Sequence, residues 1–204
     1  MKIRMLLTVG LMTLASATHA SQEQVATSIQ ETRVEVGHTR DQLATTLAAL
    51  TTLTKQEKGD LRPAYDAFAA ELPKTQAAAA ATRTRVTWMQ GDGMKYFEDW
   101  QTTISSIKDQ SLRKKSQDRL DAVKKSYGKT TGQFTEAATE FEPFLADLGD
   151  IQKVLSTDLT ARGVKGLRST VDKANSNYKK LDRSLNEALE EMKKMEKELS
   201  SEAN

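Results

Sequence analysis

The stretch LDAVKKSYGKTTGQFTEAATEFEPFLADLGDIQKVL, residues 120–155, decides the fold. Its residues Leu120, Val123, Tyr127, Thr130, Phe134, Ala137, Phe141, Phe144, Leu148, Ile151 and Leu155 follow one another at intervals of three and four without a slip. Intervals averaging about 3.5 residues put one side chain per turn on a seam that faces a neighbouring helix. A strand needs a period of two and cannot produce this pattern. A second unbroken series runs through Val164, Leu167, Val171, Ala174, Tyr178, Leu181, Leu185, Ala188, Met192, Met195 and Leu199. Between the two lies Ser156 to Gly166, with Gly163 and Gly166, the material of a tight connection between antiparallel helices.

Charge placement supports an antiparallel pairing of these two helices. With the turn centred near residue 160, residues whose numbers sum to about 320 face each other across an antiparallel seam. Residues 113–129 carry seven basic and two acidic side chains, and 187–202 opposite them carry six Glu and three Lys. Residues 136–150 carry five acidic and no basic side chains, and 173–183 opposite carry four basic and one acidic. Each block meets its opposite sign. A parallel in-register homodimer would set like blocks together.

Upstream the same spacing continues in Leu61, Tyr65, Phe68, Leu72, Thr75, Ala79, Thr82, Val86 and Met89, after Gly59 and the N-cap candidate Asp60. Before it Ile29, Val36, Leu43 and Leu50 recur every seven residues, with Thr32, Thr39 and Thr46 at the alternate seam positions. Pro73 and Pro143 lie inside these patterns, so each is expected to kink its helix without ending it. The run Ala77 to Ala81 favours helix and allows a close neighbour. The expected helices are 22–57, 61–107, 112–158 and 163–200, with a possible break at 91–93. At about 1.5 Å per residue they are on the order of 55 to 70 Å long. The expected fold is all-α: an elongated antiparallel coiled-coil-like bundle of about four long helices, forming a single domain over residues 21–204.

Residues 1–20 read as a removable leader. Lys2 and Arg4 precede the mainly apolar run Met5 to Leu14, and small residues from Ala15 to Ala20 follow, so cleavage after Ala17 and after Ala20 both fit. The run is shorter than the roughly 20 residues that cross a bilayer, so no transmembrane span is expected. The working protein is then periplasmic or secreted. The full chain of 204 residues has 30 Lys+Arg against 28 Asp+Glu, and losing Lys2 and Arg4 leaves 28 against 28. A neutral mature chain gives a polyanion partner little general attraction.

Composition removes further chemistry. The absence of cysteine excludes disulfides, thiolate nucleophiles and cysteine-held metals. Glu35 and His38 form one Glu-x-x-His, half of what a di-iron bundle needs. With His19 in the leader, His38 is the one histidine left, and a second such motif cannot exist. Neither a phosphate-binding loop, a nucleophile elbow nor a dinucleotide turn is present. The basic block 108–129 lacks interleaved aromatics and has an acidic partner segment, so nucleic acid is not expected. No catalytic residue, cofactor or metal site is expected.

One segment stands apart. Residues 88–100, WMQGDGMKYFEDW, hold four aromatics including both tryptophans, and Gly91 and Gly93 interrupt the heptad. A helix broken beside bulky rings can form a pocket or an exposed partner patch. Trp88, Met89, Met94, Tyr96, Phe97 and Trp100 are the candidate ligand or partner residues. The bland alternative is that the rings fill a wide layer of the bundle.

The landmarks Gly59-Asp60-Leu61, Phe97-Glu98-Asp99-Trp100, Ser111-Leu112-Arg113 with Ser116 and Leu120, and Leu159-Thr160-Ala161-Arg162 resemble those of the bacterial exported helical family called domain of unknown function 2959. The resemblance covers almost all of the mature chain. It implies export and long helices, and carries no catalytic residue or cofactor. Some members bear a DNA-repair ATPase label, which the missing phosphate loop does not support here. The Gly91-Asp92-Gly93 interruption departs from the continuous helix the family implies. The expected role is a non-enzymatic scaffold or protein-interaction module of the cell envelope with a protein partner. The alternative is a binding protein for a small apolar ligand or, by peripheral contact, a membrane surface, centred on Trp88–Trp100.

Overall fold

The computed structural model describes residues 7–56 and 58–200, and side chains from residue 20 to 199 apart from Glu57. The basic start of the expected leader and the last acidic residue of the 187–202 block, Glu202, lie outside the described residues. Five helices follow in order: α1 Leu7–Lys55, α2 Arg62–Ser106, α3 Gln110–Thr157, α4 Ala161–Gly166 and α5 Arg168–Ser200. The fold is an all-α bundle.

Each helix end has a local cause. Gly59 takes φ +93, the left-handed conformation that lets the chain turn after α1. The Asp60 carboxylate then accepts from the Arg62 N–H at 2.9 Å, one of the orphan donors that open α2. Asp109 caps α3 in the same way, accepting from Leu112 N–H at 2.8 Å. Pro73 and Pro143 sit inside continuous helices, as the unbroken seams on either side of them required.

Two expectations about continuity change. The last helix is divided at Leu167, whose N–H bonds back to the Val164 carbonyl at 3.1 Å in a tightened turn before the ordinary ladder resumes from Val171. Gly163 and Gly166 weaken helix here, while Val164, Leu167 and Val171 keep the seam buried across the step. In contrast, α2 runs without a break through Gly91-Asp92-Gly93. Gly93 is itself a seam residue, standing at intervals of four, three and four in the series Met89, Gly93, Tyr96 and Trp100.

The chain forms two compact units, and the four long helices contribute segments to each. In the unit of residues 34–84 and 132–189, α1 and α2 pack on a polar seam. Thr39 shares a hydrogen bond with Thr82 at 2.8 Å, and Thr46 with Thr75 at 2.7 Å. Thr39 also reaches the Ala78 carbonyl at 3.1 Å, which only closely packed helices permit. The alanine run supplies that closeness. On the other side of this unit Asp147, nearly buried, accepts from Lys173 and Asn177, each at 2.8 Å. The 147/173 pair sums to 320, the register that the charge blocks required.

In the unit of residues 7–33, 85–131 and 190–200, the same antiparallel order holds. Glu31 pairs with Arg85 at 2.5 Å between α1 and α2, and Arg33 with Glu196 at 2.7 Å between α1 and α5. Lys129 pairs with Glu191 at 2.7 Å between α3 and α5, again in the 320 register. Lys194 shares the same carboxylate oxygen at 2.9 Å. The two lysine hydrogen bonds, Lys129 first, hold the Glu191 carboxyl below its ordinary range.

Candidate interaction surface around Trp88

The aromatic segment of α2 is divided by helix geometry. Successive residues turn by about 100°, so the seam series Met89, Gly93, Tyr96 and Trp100 faces the core, and the residues beside it do not. Met89 is fully buried, Tyr96 is 2% exposed and Trp100 9%. Trp88 and Met94 are 56% and 64% exposed, on opposite flanks of the helix. Phe97 is half-buried on the Met94 flank. The six candidate residues are therefore not one patch.

On the core face the rings are tightly fitted. Tyr96 packs on Phe97 at 5.6 Å and on Trp100 at 5.5 Å between ring centroids, and Phe97 meets Tyr127 edge-on at 5.3 Å. The Trp100 indole donates to the Ser116 hydroxyl at 3.1 Å. Tyr127 crosses from α3 over Gly93 and donates its hydroxyl proton to the Met89 carbonyl. A Cβ at Gly93 would collide with the Tyr127 ring and hydroxyl. That close approach is why glycine stands on the seam. Burial, with the Asp92 charge as a lesser cause, pushes the Tyr127 hydroxyl well above its usual titration range, so it remains a donor. The void left where these rings meet Val25, Ile29 and Met195 is only 10 Å³. A single water needs about that much, and a ligand far more.

The outer flanks are different. Between α1 and α2 an open groove of 840 Å³ is lined by Ala20, Glu23, Gln24, Thr27, Ser28, Glu31, Thr87, Trp88, Gly91 and Asp92. The Arg85 guanidinium lies over the Trp88 ring, 5.0 Å from its centroid, while bonded to Glu31. Gln24 donates to Asp92 across the groove at 2.7 Å. On the opposite flank, a groove of 680 Å³ holds Met94, Phe97, Glu98 and Lys124, the last with its ammonium 5.7 Å from the Phe97 centroid. Neither the α1 residues of the first groove nor Lys124 stand out in the sequence. Their signal was the helical spacing of Ala20, Gln24, Thr27 and Glu31, legible once the α1/α2 register is known.

Other sequence candidates fall outside these grooves. His38 is exposed and Glu35 half-buried on α1. Among the described residues no group of three or more His, Cys, Asp or Glu is placed to hold a metal ion. No helix among the described residues is long and apolar enough to cross a membrane.

A family model described as "Protein of unknown function (DUF2959)" matches residues 13–199. The chain belongs to this family. Neither a curated protein nor a solved structure matches it. The segments on which the sequence resembles this family meet in pairs within the fold. Phe97–Trp100 is tied to the start of α3 by the Trp100–Ser116 hydrogen bond. Gly59–Leu61 and Leu159–Ala161 together line a depression of 320 Å³, beside the turn in which Thr160 caps α4 by accepting from Gly163 N–H at 3.1 Å. Both meetings occur where helices turn.

Proposed function

We propose that this protein is a non-enzymatic, exported scaffold or protein-interaction module of the bacterial cell envelope. The observation that carries the reading is the placement of Trp88. Its indole stands more than half in water beside an open groove, while Tyr96 and Trp100 of the same segment are buried in the core. A large aromatic side chain left exposed on a packed helix is the feature that interaction surfaces concentrate. Export rests on the sequence of residues 1–20, a basic start, a short apolar run and small residues at its end.

The reading as a binder of small apolar ligands has less support. Met89, Tyr96 and Trp100 are already covered, and the void among the rings has no room for a guest. Affinity capture from envelope extracts with the tagged full chain tests the proposal. A partner retained at low salt supports it, and recovery of none at any salt overturns it.

A further inference from the structure

Resting on that interaction reading, we propose that the groove between α1 and α2 docks a positively charged segment of a partner protein, with an arginine or lysine stacked on Trp88 and paired with the carboxylates beside it. The chain already displays this mode of recognition within itself. The Arg85 guanidinium lies 5.0 Å from the Trp88 ring centroid with its Nη1 2.5 Å from a Glu31 carboxylate oxygen. The face of an indole attracts a cation through its quadrupole, and a carboxylate takes the planar N–H donors at the rim. A second cation would meet the exposed remainder of the ring together with Glu23 and Asp92, the groove carboxylates that Arg85 does not engage.

The charge of the groove selects the occupant. Its ionisable lining side chains, Glu23, Glu31 and Asp92, are all acidic and the other polar ones neutral, and cleavage after Ala20 would set a single α-ammonium, on Ser21, against these three. Arg85 offsets Glu31, and Asp92 is held by a neutral amide from Gln24. Among the described residues neither Glu23 nor Asp92 is in an ion pair, so both carboxylates are open to a visiting cation. An anionic membrane or a nucleic acid would meet repulsion here, whereas a basic segment gains both charge pairing and cover for the exposed indole.

The test uses the full chain carrying Trp100→Phe, which leaves Trp88 as the single tryptophan, excited selectively over the tyrosines, with a hexa-arginine peptide as probe. Saturable quenching or shift of Trp88 emission is expected. It weakens at least tenfold in a Glu23→Gln, Asp92→Asn variant, and also between about 0.05 M and about 0.5 M salt. No saturable response, an equal response in the neutralised variant, or a response to vesicles of anionic phosphatidylglycerol in place of the peptide overturns the proposal. If Trp100→Phe disturbs folding, fluorine NMR of the 5-fluorotryptophan-labelled natural sequence gives the same readout, with the Trp88 resonance identified by its loss in Trp88→Phe. Envelope capture separates the two readings: a partner retained equally by Trp88→Ala overturns the groove and leaves the interaction module standing.

Discussion

Gly91 and Gly93 lie two residues apart in α2, and replacing each by alanine should have opposite effects. Alanine in a helix interior is favoured over glycine by about 1 kcal/mol. At Gly91 nothing lies within 4 Å of the added methyl, so Gly91→Ala should stabilise by nearly that amount. At Gly93 the three nearest atoms are all Tyr127 ring and hydroxyl atoms, the farthest at 2.8 Å. Overfilling a packed site costs about 1–3 kcal/mol, and stranding the Tyr127 hydroxyl from the Met89 carbonyl about 1–3 kcal/mol more. Set against the same helix gain, Gly93→Ala should destabilise by about 3 kcal/mol, lowering Tm by roughly 6–12 °C in a chain of this size. Thermal unfolding followed by circular dichroism at 222 nm measures both. In a Tyr127→Ala background the penalty should vanish and Gly93→Ala should stabilise, because the atoms it strikes are gone. Equal Tm changes for the two single variants would refute the steric role assigned to Gly93.

Three other outcomes are expected. Acrylamide should quench Trp88 in a Trp100→Phe variant several-fold more effectively than Trp100 in a Trp88→Phe variant, since their exposures are 56% and 9%. Gln133 carries a buried side-chain oxygen with no hydrogen-bond partner, so Gln133→Met, of similar shape, should raise stability by about 1 kcal/mol in urea unfolding. Lys129 and Lys194 hold the Glu191 carboxyl below its ordinary range, so its stabilisation is complete above an unfolded-state value of about 4.3 and is lost as pH falls through the lower folded-state value. Glu191→Gln should therefore be less stable than the natural chain at pH 7, with the gap closing on acidification.

The helices and their antiparallel order were legible because both depend on local periodicity and on charge blocks many residues long. The pairs Lys173–Asp147 and Lys129–Glu191 fall in the register that those blocks required. The threonines of α1 were legible as seam positions, and their burial follows from hydroxyl pairs such as Thr46–Thr75. Gly93 was misleading for a physical reason. A glycine adds no apolar signal to a seam, and its cause, Tyr127, lies in another helix. The division of the aromatic segment was within reach, since extending the three-and-four spacing from Met89 puts Tyr96 and Trp100 inward and Trp88 and Met94 outward. The groove was not. It requires the α1/α2 register, which rests largely on threonine and alanine contacts and is marked by charge at the Glu31–Arg85 pair, without the long blocks that align α3 with α5.

The interaction surface assigned to Trp88 requires that this flank of α2 meet a protein in the cell envelope. Photoreactive benzoylphenylalanine incorporated at position 88 of the full chain in living cells, with position 38 as an exposed control, reads that meeting out. A discrete protein adduct in the envelope fraction is expected from position 88, and none of the same size from position 38. No adduct at position 88, or the same adducts from both positions, would contradict the assignment of Trp88 as the interaction surface.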